Sequence, residues 1–324
     1  MTKAIRFHQT GGPEVLRLED LEAGEPGEGQ ARVRHAAIGV NFIDTYHRSG
    51  LYPLPLPSGL GVEAAGVVEA VGKGVAHVKK GDRVAYAGGA PGSYSEVRVM
   101  AADRLVRLPD AVGDRQAAGA MLKGMTVQYL VRRTYPVKAG ETVLVQAAAG
   151  GVGLIACQWL KALGATVIGT VGSDEKARLA RAHGCDHAIV YTREDFAARV
   201  KEITKGAGVP VVYDAVGKST FQGSLDCLRP RGLMVSFGNA SGPVPPVDLL
   251  QLSQKGSLFI TRPTLAHYTA AREELEAAAR ELFEVMQSGK VKIEISATYP
   301  LAEAARAHRD LEARKTTGSV VLLP

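Results

Sequence analysis

The stretch VLVQAAAGGVG, residues 143–153, decides the fold. Its first four residues, Val143–Gln146, predict a short buried strand, and an alanine- and glycine-rich turn then opens into an amphipathic helix. Aligned with the pattern G-x-G-x-x-G, the turn has Ala148, Gly150 and Gly153 at the three fixed positions. Gly150 lets a backbone approach a pyrophosphate, Gly153 lets the helix pack closely on its strand, and the helix N-terminus offers N–H donors. Strand, turn and helix together predict a dinucleotide-binding site.

Five more apolar runs follow, with amphipathic helical segments between most of them. The six predicted strands are Val143–Gln146, Thr166–Thr170, Ala188–Tyr191, Val209–Asp214, Leu233–Phe237 and Ser257–Thr261. The predicted helices are Leu154–Leu163, Glu175–His183, Asp195–Lys205, Thr220–Leu228 and Leu249–Lys255. Strands that alternate with crossovers of this length predict a parallel sheet covered on both faces. Six such strands complete one doubly wound, Rossmann-type α/β domain.

The two ends of the chain have a different pattern. Before about residue 110, strands are predicted at Lys3–Phe7, Val15–Leu21, Ala31–Val40, Ala65–Val71, Asp82–Ala87 and Tyr94–Val99. The C-terminal part predicts a helix at Thr269–Ser288, a strand at Val291–Ile295, a helix at Ala302–Arg314 and a strand at Ser319–Leu323. Because six strands already complete the sheet, this tail is expected to return to the first domain. We therefore predict a catalytic domain at 1–123, a cofactor domain at 124–265 and a C-terminal return at 266–324.

The composition excludes several classes of protein. Apolar residues make up 46% and charged residues 22% of the 324 residues, which is typical of a globular chain. The net charge of +6 comes without basic runs, so nucleic-acid binding is not expected. The segment between Glu141 and Lys161 carries no charge, but its glycines and glutamines favour a strand, turn and buried helix over a membrane span. Three scattered cysteines and no signal-peptide core predict a cytoplasmic protein without disulfides or membrane segments.

The end of the second predicted strand bears on which dinucleotide is bound. Where an NAD enzyme usually has a carboxylate for the ribose hydroxyl, this chain has Gly172 and Ser173, with Lys176 in the first helical turn. A cation there is disfavoured by the helix dipole, and makes sense if it meets a 2′-phosphate. Two different interpretations stay open: Ser173 only caps the helix with Lys176 on the surface, or Asp174 serves a ribose hydroxyl. NADPH is the favoured cofactor.

Four further runs resemble a known family, namely Asn41–Tyr46, Arg48–Tyr52, Gly59–Gly66 and Gly81–Val84. They are similar to the NADPH-dependent quinone oxidoreductases, the ζ-crystallin-like, zinc-free branch of the medium-chain dehydrogenases/reductases, with the bacterial members nearest. The similarity covers essentially the whole chain. It implies a Rossmann domain for NADPH, a discontinuous, β-rich, GroES-like catalytic domain, and quinone reduction in a cleft between them.

The resemblance also makes the expected absence of metal specific. In the zinc alcohol dehydrogenases of this superfamily, a Cys and a Gly-His-Glu motif supply catalytic ligands. The corresponding places here are held by Asn41 and by Gly61-Val62-Glu63, and neither asparagine nor valine replaces a thiolate or an imidazole on Zn²⁺. Glu63 is therefore interpreted as structural. Without a metal, the expected acceptor is one that is already electrophilic, such as a quinone.

The resemblance assigns residues to both sides of the reaction. Asn41, Tyr46 and Tyr52 are implied to face the nicotinamide and the quinone, where an amide can hydrogen-bond and phenols can stack or donate. Either tyrosine could instead be loop packing. Asp44 is interpreted as an ordinary ionised or capping carboxylate rather than as a proton donor. The predicted cofactor contacts are Phe42, Ile43, Asp44, Lys123, Thr126, Gly150, Gly151, Val152, Gly172, Ser173, Lys176, Tyr191, Val216, Phe237, Gly238, Asn239, Thr261, Arg262 and Arg314. For Arg314, a surface salt bridge is as plausible as a contact with the 2′-phosphate.

Two different functions and an assembly are also compatible with the sequence. Reduction of an activated carbon–carbon double bond in enones or enals is the enzymatic rival, and a crystallin-like structural or RNA-binding role belongs to a different class. The sequence leaves open whether electrons pass singly or as a hydride. The predicted sixth strand, Ser257–Thr261, would lie at a sheet edge, and relatives tend to dimerise through this domain, so a homodimer is expected.

Overall fold

The computed structural model describes all 324 residues, and the chain divides into two compact units. The first unit combines Met1–Met125 with Tyr268–Gln287 and Ile293–Pro324. The second unit consists of Thr126–His267 and Ser288–Lys292. The limits of the functional domains, expected at 123/124 and 265/266, stay a prediction.

The N-terminal part of the first unit is rich in strands. They are β1 (Thr2–Phe7), β2 (Arg17–Leu21), β3 (Gln30–Val40), β4 (Ser58–Gly59), β5 (Glu63–Val71), β6 (Arg83–Ala87), β7 (Val97–Ala101) and β8 (Val106–Arg107). Helix α1 (Phe42–Ser49) follows β3 directly, and α2 (Asp114–Tyr129) continues into a π-helical turn at Leu130–Thr134. β2 starts later than expected because Pro13–Val15 form a 3₁₀ turn.

The second unit alternates strand and helix as predicted. Its elements are β9 (Thr142–Val145), α3 (Gly151–Ala162), β10 (Thr166–Val171), α4 (Asp174–Ala182), β11 (His187–Val190), α5 (Phe196–Ile203), β12 (Val209–Asp214), α6 (Phe221–Asp226), β13 (Leu228–Ser236), α7 (Leu250–Gln254) and β14 (Phe259–Thr261). All neighbouring strands pair in parallel, in the order β11-β10-β9-β12-β13-β14. That order is the doubly wound arrangement, and the predicted Rossmann fold is confirmed.

The C-terminal elements complete the first unit. After the short helix α8 (Leu265–Tyr268), with which the long segment of the second unit ends, they are α9 (Arg272–Gln287), β15 (Ile295–Pro300), α10 (Ala304–Glu312) and β16 (Ser319–Leu323). β16 pairs antiparallel with β3 and parallel with β15, which adds two strands to the sheet of β3, β5, β6 and β8. The β-rich, GroES-like domain is therefore discontinuous, as the sequence predicted.

The strand expected at Val291–Ile295 is wrong by about four residues. The backbone of Lys292 instead exchanges two hydrogen bonds with the side-chain amide of Gln158, at 2.8 and 3.0 Å. These bonds occupy the peptide groups that a strand would use, so regular pairing begins only at Ile295, opposite Ser319.

The second unit places its apolar side chains as its parallel sheet requires. Leu144, Ile168 and Val212, on three neighbouring parallel strands, have no exposed surface and pack in one core. A parallel sheet covered by helices buries both faces, which explains why these strands have almost uninterrupted apolar sequences. The carboxyl-end loops of this sheet carry most of the predicted cofactor residues of the second unit.

Candidate functional site

The glycine turn connects β9 to α3 without any side-chain cap. Ala147 takes a left-handed backbone conformation (φ 57°), and Gly150 is extended at the position before the helix, where no side chain satisfies the first N–H groups. A Cβ on Gly153 would lie 2.3 Å from the carbonyl oxygen of Ala147, so only glycine fits there. The turn is therefore compact, and the α3 N-terminus keeps its donors for an anion.

A second cluster forms where β10 and β11 end. Ser173 caps α4, since its Oγ accepts a hydrogen bond from the Lys176 N–H at 3.3 Å. The phenol oxygen of Tyr191 lies 3.0 Å from the position that a Cβ on Gly172 would take. These four predicted residues thus lie around one strand-end loop, and the capping role considered for Ser173 is confirmed.

Asp174, the competing partner for a ribose hydroxyl, is already engaged. Both of its carboxylate oxygens accept hydrogen bonds from the Arg193 guanidinium, at 2.5 and 2.6 Å. This exposed, bidentate pair lowers the pKa of Asp174. A ribose hydroxyl would have to compete with a charged donor for that carboxylate, and the competition weakens the case for Asp174.

A third group follows β12, β13 and β14. Val216, Phe237, Gly238, Asn239, Thr261 and Arg262 lie at or just beyond the carboxyl ends of these strands. Arg262 donates from Nη1 to the backbone oxygens of Ser236 and Gly238, both at 3.0 Å. A Cβ on Gly238 would lie 2.3 Å from the Ala215 carbonyl oxygen, so the loops approach closely there.

Asp214, at the end of β12, organises these loops and is not among the site residues predicted from the sequence. The residue is fully buried, and its Oδ1 accepts from the N–H groups of Val216 and Gly217, at 2.7 and 3.0 Å. Its Oδ2 accepts from the hydroxyls of Thr220 and Ser224, at 2.7 and 2.8 Å. A carboxylate directly after a buried strand is the signal that could have found it, because polar residues at strand ends shape ligand loops.

Asn41 begins α1 in the first unit, where it joins a buried polar cluster. Its Nδ2 donates to Oε2 of Glu63 at 2.8 Å, and the Lys123 ammonium contacts the same oxygen at 3.2 Å. The other oxygen of Glu63 accepts from the Leu122 N–H at 2.6 Å. Glu63 is fully buried, and Asn41 and Lys123 are 6% exposed. Glu63 is therefore structural, as interpreted, and it holds two predicted site residues in place.

The packing at β3 shows that this cluster is built into the sheet. A Cβ on Gly39 would lie 2.1 Å from Oε2 of Glu63 and 2.3 Å from the carbonyl oxygen of Ala118. Gly39 thus leaves the space that the carboxylate occupies. Nothing in the sequence pattern indicates this role, because residues 39 and 63 meet only through the pairing of β3 with β5.

The aromatic residues of the predicted site lie together. The rings of Tyr46 and Tyr52 meet edge to face with centroids 5.3 Å apart, and the Tyr52 N–H donates to the Tyr46 carbonyl at 3.1 Å. Phe42 and His47 extend this group, with centroids 6.5 Å from Tyr46 and 6.1 Å from Tyr52 respectively. Tyr46 is 9% exposed and Tyr52 is half-buried. The end of α1 thereby presents an aromatic wall close in sequence to Asn41.

Asp44 caps α1, as expected, but it is not an ordinary ionised carboxylate. Its Oδ2 accepts from the Asn41 N–H at 2.8 Å and from the Tyr94 hydroxyl at 2.9 Å. Complete burial raises the pKa of Asp44 to about 7, against these hydrogen bonds and the nearby Lys123 charge. The capping role expected for Asp44 is confirmed, while burial disfavours the charged form because desolvation outweighs the favourable contacts.

The remaining predicted residues lie elsewhere in the two units. Ile43 is half-buried in α1, Thr126 is half-buried in α2, and Gly151 and Val152 form the first turn of α3. Arg314 is exposed just after α10, in a left-handed backbone conformation (φ 57°). No group of three or more His, Cys, Asp or Glu side chains could hold a metal ion. None of the helices has the length and apolar character needed to cross a membrane.

Comparisons with known proteins agree with this architecture. Residues 27–110 match the family model of the alcohol dehydrogenase GroES-like domain, and residues 151–284 match that of the zinc-binding dehydrogenases. The second family is named for a metal, but this chain has Asn41 and Val62 at the positions that correspond to ligands in the zinc alcohol dehydrogenases.

Relatives match over the full length. A quinone oxidoreductase of Pseudomonas aeruginosa is 61% identical over all of both chains, and a 2-haloacrylate reductase of a Burkholderia species is 48% identical over 100% of this chain and 99% of that one. The crystal structure of Escherichia coli quinone oxidoreductase complexed with NADPH is 55% identical, with a TM-score of 0.98 over 99% of this chain and 100% of that one. The chain belongs to the quinone oxidoreductase family of the medium-chain dehydrogenases/reductases.

Proposed function

We propose that this protein reduces quinones with NADPH as the electron donor. The observation that carries the proposal is the Asn41–Glu63–Lys123 cluster, in which Asn41 takes the place of a metal-ligating Cys of the zinc alcohol dehydrogenases, together with the aromatic wall of α1. An amide and phenols can orient and polarise an acceptor that is already electrophilic, but they cannot activate an alcohol as a Lewis acid does. The full-length similarity to quinone oxidoreductases supports the same reaction.

The residues of the second unit fit a phosphorylated dinucleotide. The uncapped N-terminus of α3, with Gly150, Gly151 and Val152, suits the pyrophosphate. The loop of Gly172, Ser173, Lys176 and Tyr191 suits the adenosine end, with Lys176 toward the 2′-phosphate, and Arg314 stays a predicted contact of the same phosphate. When bound, NADPH supplies the reducing equivalent from its nicotinamide ring. Val216, Phe237–Asn239, Thr261 and Arg262 then border the cofactor at the strand ends.

The proposed roles at α1 follow from how each side chain is held. Asn41 is fixed through Nδ2 by Glu63, so its side-chain amide has a defined position for the proposed hydrogen bond to the carboxamide of the nicotinamide or to the acceptor. The ring of Tyr46 is buried and packs edge to face against the ring of Tyr52, which is more exposed. Tyr52 therefore donates to a quinone oxygen, while Tyr46 and Phe42 form the surface on which the planar ring lies.

A second candidate function is reduction of an activated carbon–carbon double bond. It is favoured by the 48% identity to a 2-haloacrylate reductase over essentially both chains. Such a reaction would use the same cofactor position and the same uncharged donors. The two functions therefore differ in the acceptor and in how well that acceptor packs against the aromatic wall.

We also propose that the protein forms a homodimer through its cofactor domain. β14 is the terminal strand of the six-stranded sheet, and its Phe259 is 60% exposed. Leu249 and Leu250, at the start of α7, are 75% and 59% exposed. An open strand edge with an exposed aromatic side chain is covered in most proteins, and a second copy of the chain is the proposed cover. Three buried cysteines that form no disulfide support the further proposal that the protein functions in the reducing cytoplasm.

A panel of acceptors tests the proposed reaction. We expect kcat/KM with NADPH and simple para-quinones to exceed that with 2-haloacrylates and enones by at least about tenfold, because a quinone needs no acid stronger than a phenol. NADPH oxidation measured by absorbance at saturating cofactor gives the comparison. A preference for the enone or haloacrylate class would replace the quinone proposal with the second candidate.

Replacing the Lys176 side chain should change the cofactor preference. We expect Lys176→Ala to raise KM for NADPH by about 10- to 100-fold and to leave KM for NADH unchanged, because a charged hydrogen bond contributes about 1.5–3 kcal/mol. Lys201→Ala, an exposed lysine on α5, is the matched control. If the preference for NADPH over NADH is the same in Lys176→Ala as in the unmodified protein, the proposed role of Lys176 is refuted.

Removing one tyrosine hydroxyl at a time distinguishes the roles of Tyr46 and Tyr52. We expect Tyr52→Phe to lower kcat with quinones by about tenfold, since it removes a hydrogen bond to the acceptor, and to leave KM for NADPH unchanged. Tyr46→Phe should stay within about twofold, because its ring surface is retained. Steady-state kinetics with one quinone decide the point, and the reverse ranking would assign the donor role to Tyr46.

The oligomeric state tests the proposed interface. Phe259→Asp is expected to give monomers at micromolar concentration, because a charge in place of this exposed aromatic side chain opposes burial of the strand edge. Light scattering coupled to size-exclusion chromatography measures the mass, and Leu18→Asp, on β2 of the other unit, is the control. A monomeric unmodified protein would contradict the proposal outright.

A further inference from the structure

A chain of buried polar groups connects α1 to the C-terminal helix α10. From Asp44 it passes through the Tyr94 hydroxyl to Nε2 of His308, at 2.9 and 3.0 Å. His308 Nδ1 lies 3.0 Å from Nη1 of Arg48, and Arg48 is paired with the carboxylate of Glu312. Asp44 and His308 are fully buried, and Tyr94 is 1% exposed.

The donor and acceptor chemistry of these groups fixes the position of each proton in the series from Arg48 to Asp44. An arginine can only donate, so Nδ1 of His308 accepts from Arg48, and the single proton of the neutral imidazole is on Nε2. Nε2–H therefore donates to the oxygen of Tyr94, whose own proton goes to Oδ2 of Asp44. Burial and the adjacent Arg48 charge lower the pKa of His308 to about 3, which agrees with a neutral ring.

This arrangement leaves one atom of Asp44 open. Oδ2 accepts both from Tyr94 and from the Asn41 N–H, whereas Oδ1 is buried and has no hydrogen-bond partner. A proton bound by Asp44 must therefore reside on Oδ1. The carboxyl also faces Lys123 from α2, which favours the charged form, and Glu63 from β5, which disfavours it.

We propose that Asp44 is a positioning residue whose ionisation sets how firmly Asn41 is held, and hence the rate of quinone reduction. The inference rests on the proposed function, in which the Asn41 amide orients the nicotinamide. A carboxylate is a stronger acceptor than a carboxylic acid, so the Asn41 N–H is held best when Oδ1 carries no proton. Tyr94, with its proton directed by His308, keeps Oδ2 as the accepting atom in both states.

The pH dependence follows from the same geometry. Since burial raises the pKa of Asp44 to about 7, the turnover rate should fall as pH decreases through that value and level off at the slower rate of the protonated form. For stability the sign is opposite. A carboxyl whose pKa is raised by folding stabilises the folded state while protonated, and this contribution is lost as pH rises toward 7. The functional state of Asp44 is thus the less stable one.

The test compares Asp44→Asn with the unmodified protein. Single-turnover rates of NADPH oxidation are measured from pH 5.5 to 8.5, at saturating NADPH and with the same quinone as acceptor throughout. Saturation removes the effect of the cofactor's own 2′-phosphate, which titrates near 6 and changes binding. The rate of the unmodified protein should decrease below a pH near 7, which gives the acidic limb of its pH profile. The rate of Asp44→Asn should be low and constant within about twofold over the same range. Asp110→Asn, a variant at a surface aspartate outside the cluster, should keep the limb.

Two further measurements keep the outcome clear. Tyr94→Phe removes a donor that favours the charged carboxylate, so its limb should move to higher pH. The Tm of Asp44→Asn relative to the unmodified protein should rise between pH 5 and 8, which requires no activity. An unchanged limb in Asp44→Asn, or a flat profile in the unmodified protein, would overturn the inference. Absence of quinone reduction at every pH, with the Tm difference still pH-dependent, would instead refute the proposed function.

Discussion

The candidate site in the first unit depends on the hydrogen bonds and the ion pair that the buried carboxylate of Glu63 makes. Its donors come from three places, the residue before α1, the backbone of α2 and the ammonium of Lys123. A buried charge is tolerated only when it is paired and fully hydrogen-bonded. Removal of one partner from such a pair typically costs about 3–5 kcal/mol, so the cluster fixes the start of α1 relative to β5 and α2. Gly39 makes room for it in the sheet.

This cluster also explains how the family scaffold works with different chemistry. In the zinc alcohol dehydrogenases of the superfamily, a Cys and a Gly-His-Glu motif at the corresponding positions supply ligands to a cation. Here the ammonium of Lys123 supplies a positive charge to Glu63, and Asn41 supplies a neutral amide. The carboxylate thus keeps a cationic partner, but that partner has no open coordination position for an alcohol. The site is left with hydrogen-bond donors and aromatic surfaces, which suit an acceptor that needs orientation more than activation.

What the sequence predicted well was encoded locally. The β9 strand, the turn through Gly150 and Gly153 and helix α3 adjoin one another in the chain, and the six apolar strands follow the buried-sheet pattern. The contacts that could not be predicted join distant residues. Glu63 meets Lys123 across 60 positions, and only the folded sheet brings them together. The shifted strand at Val291–Ile295 has the same cause, because the side chain of Gln158 competes for its backbone.

The discontinuity of the first unit has a functional reason beyond sheet completion. β16 adds a strand beside β3, but α10 does more, since its His308 and Glu312 bind Tyr94 and Arg48 below the helix that carries Asn41. Arg48 is 2% exposed and must have such partners to be buried at all. The last turns of the chain therefore complete the support of α1 from beneath. A helix held at its start by Glu63 and at its end by α10 has little freedom to tilt, and that restraint keeps the amide and the phenols in register with one another.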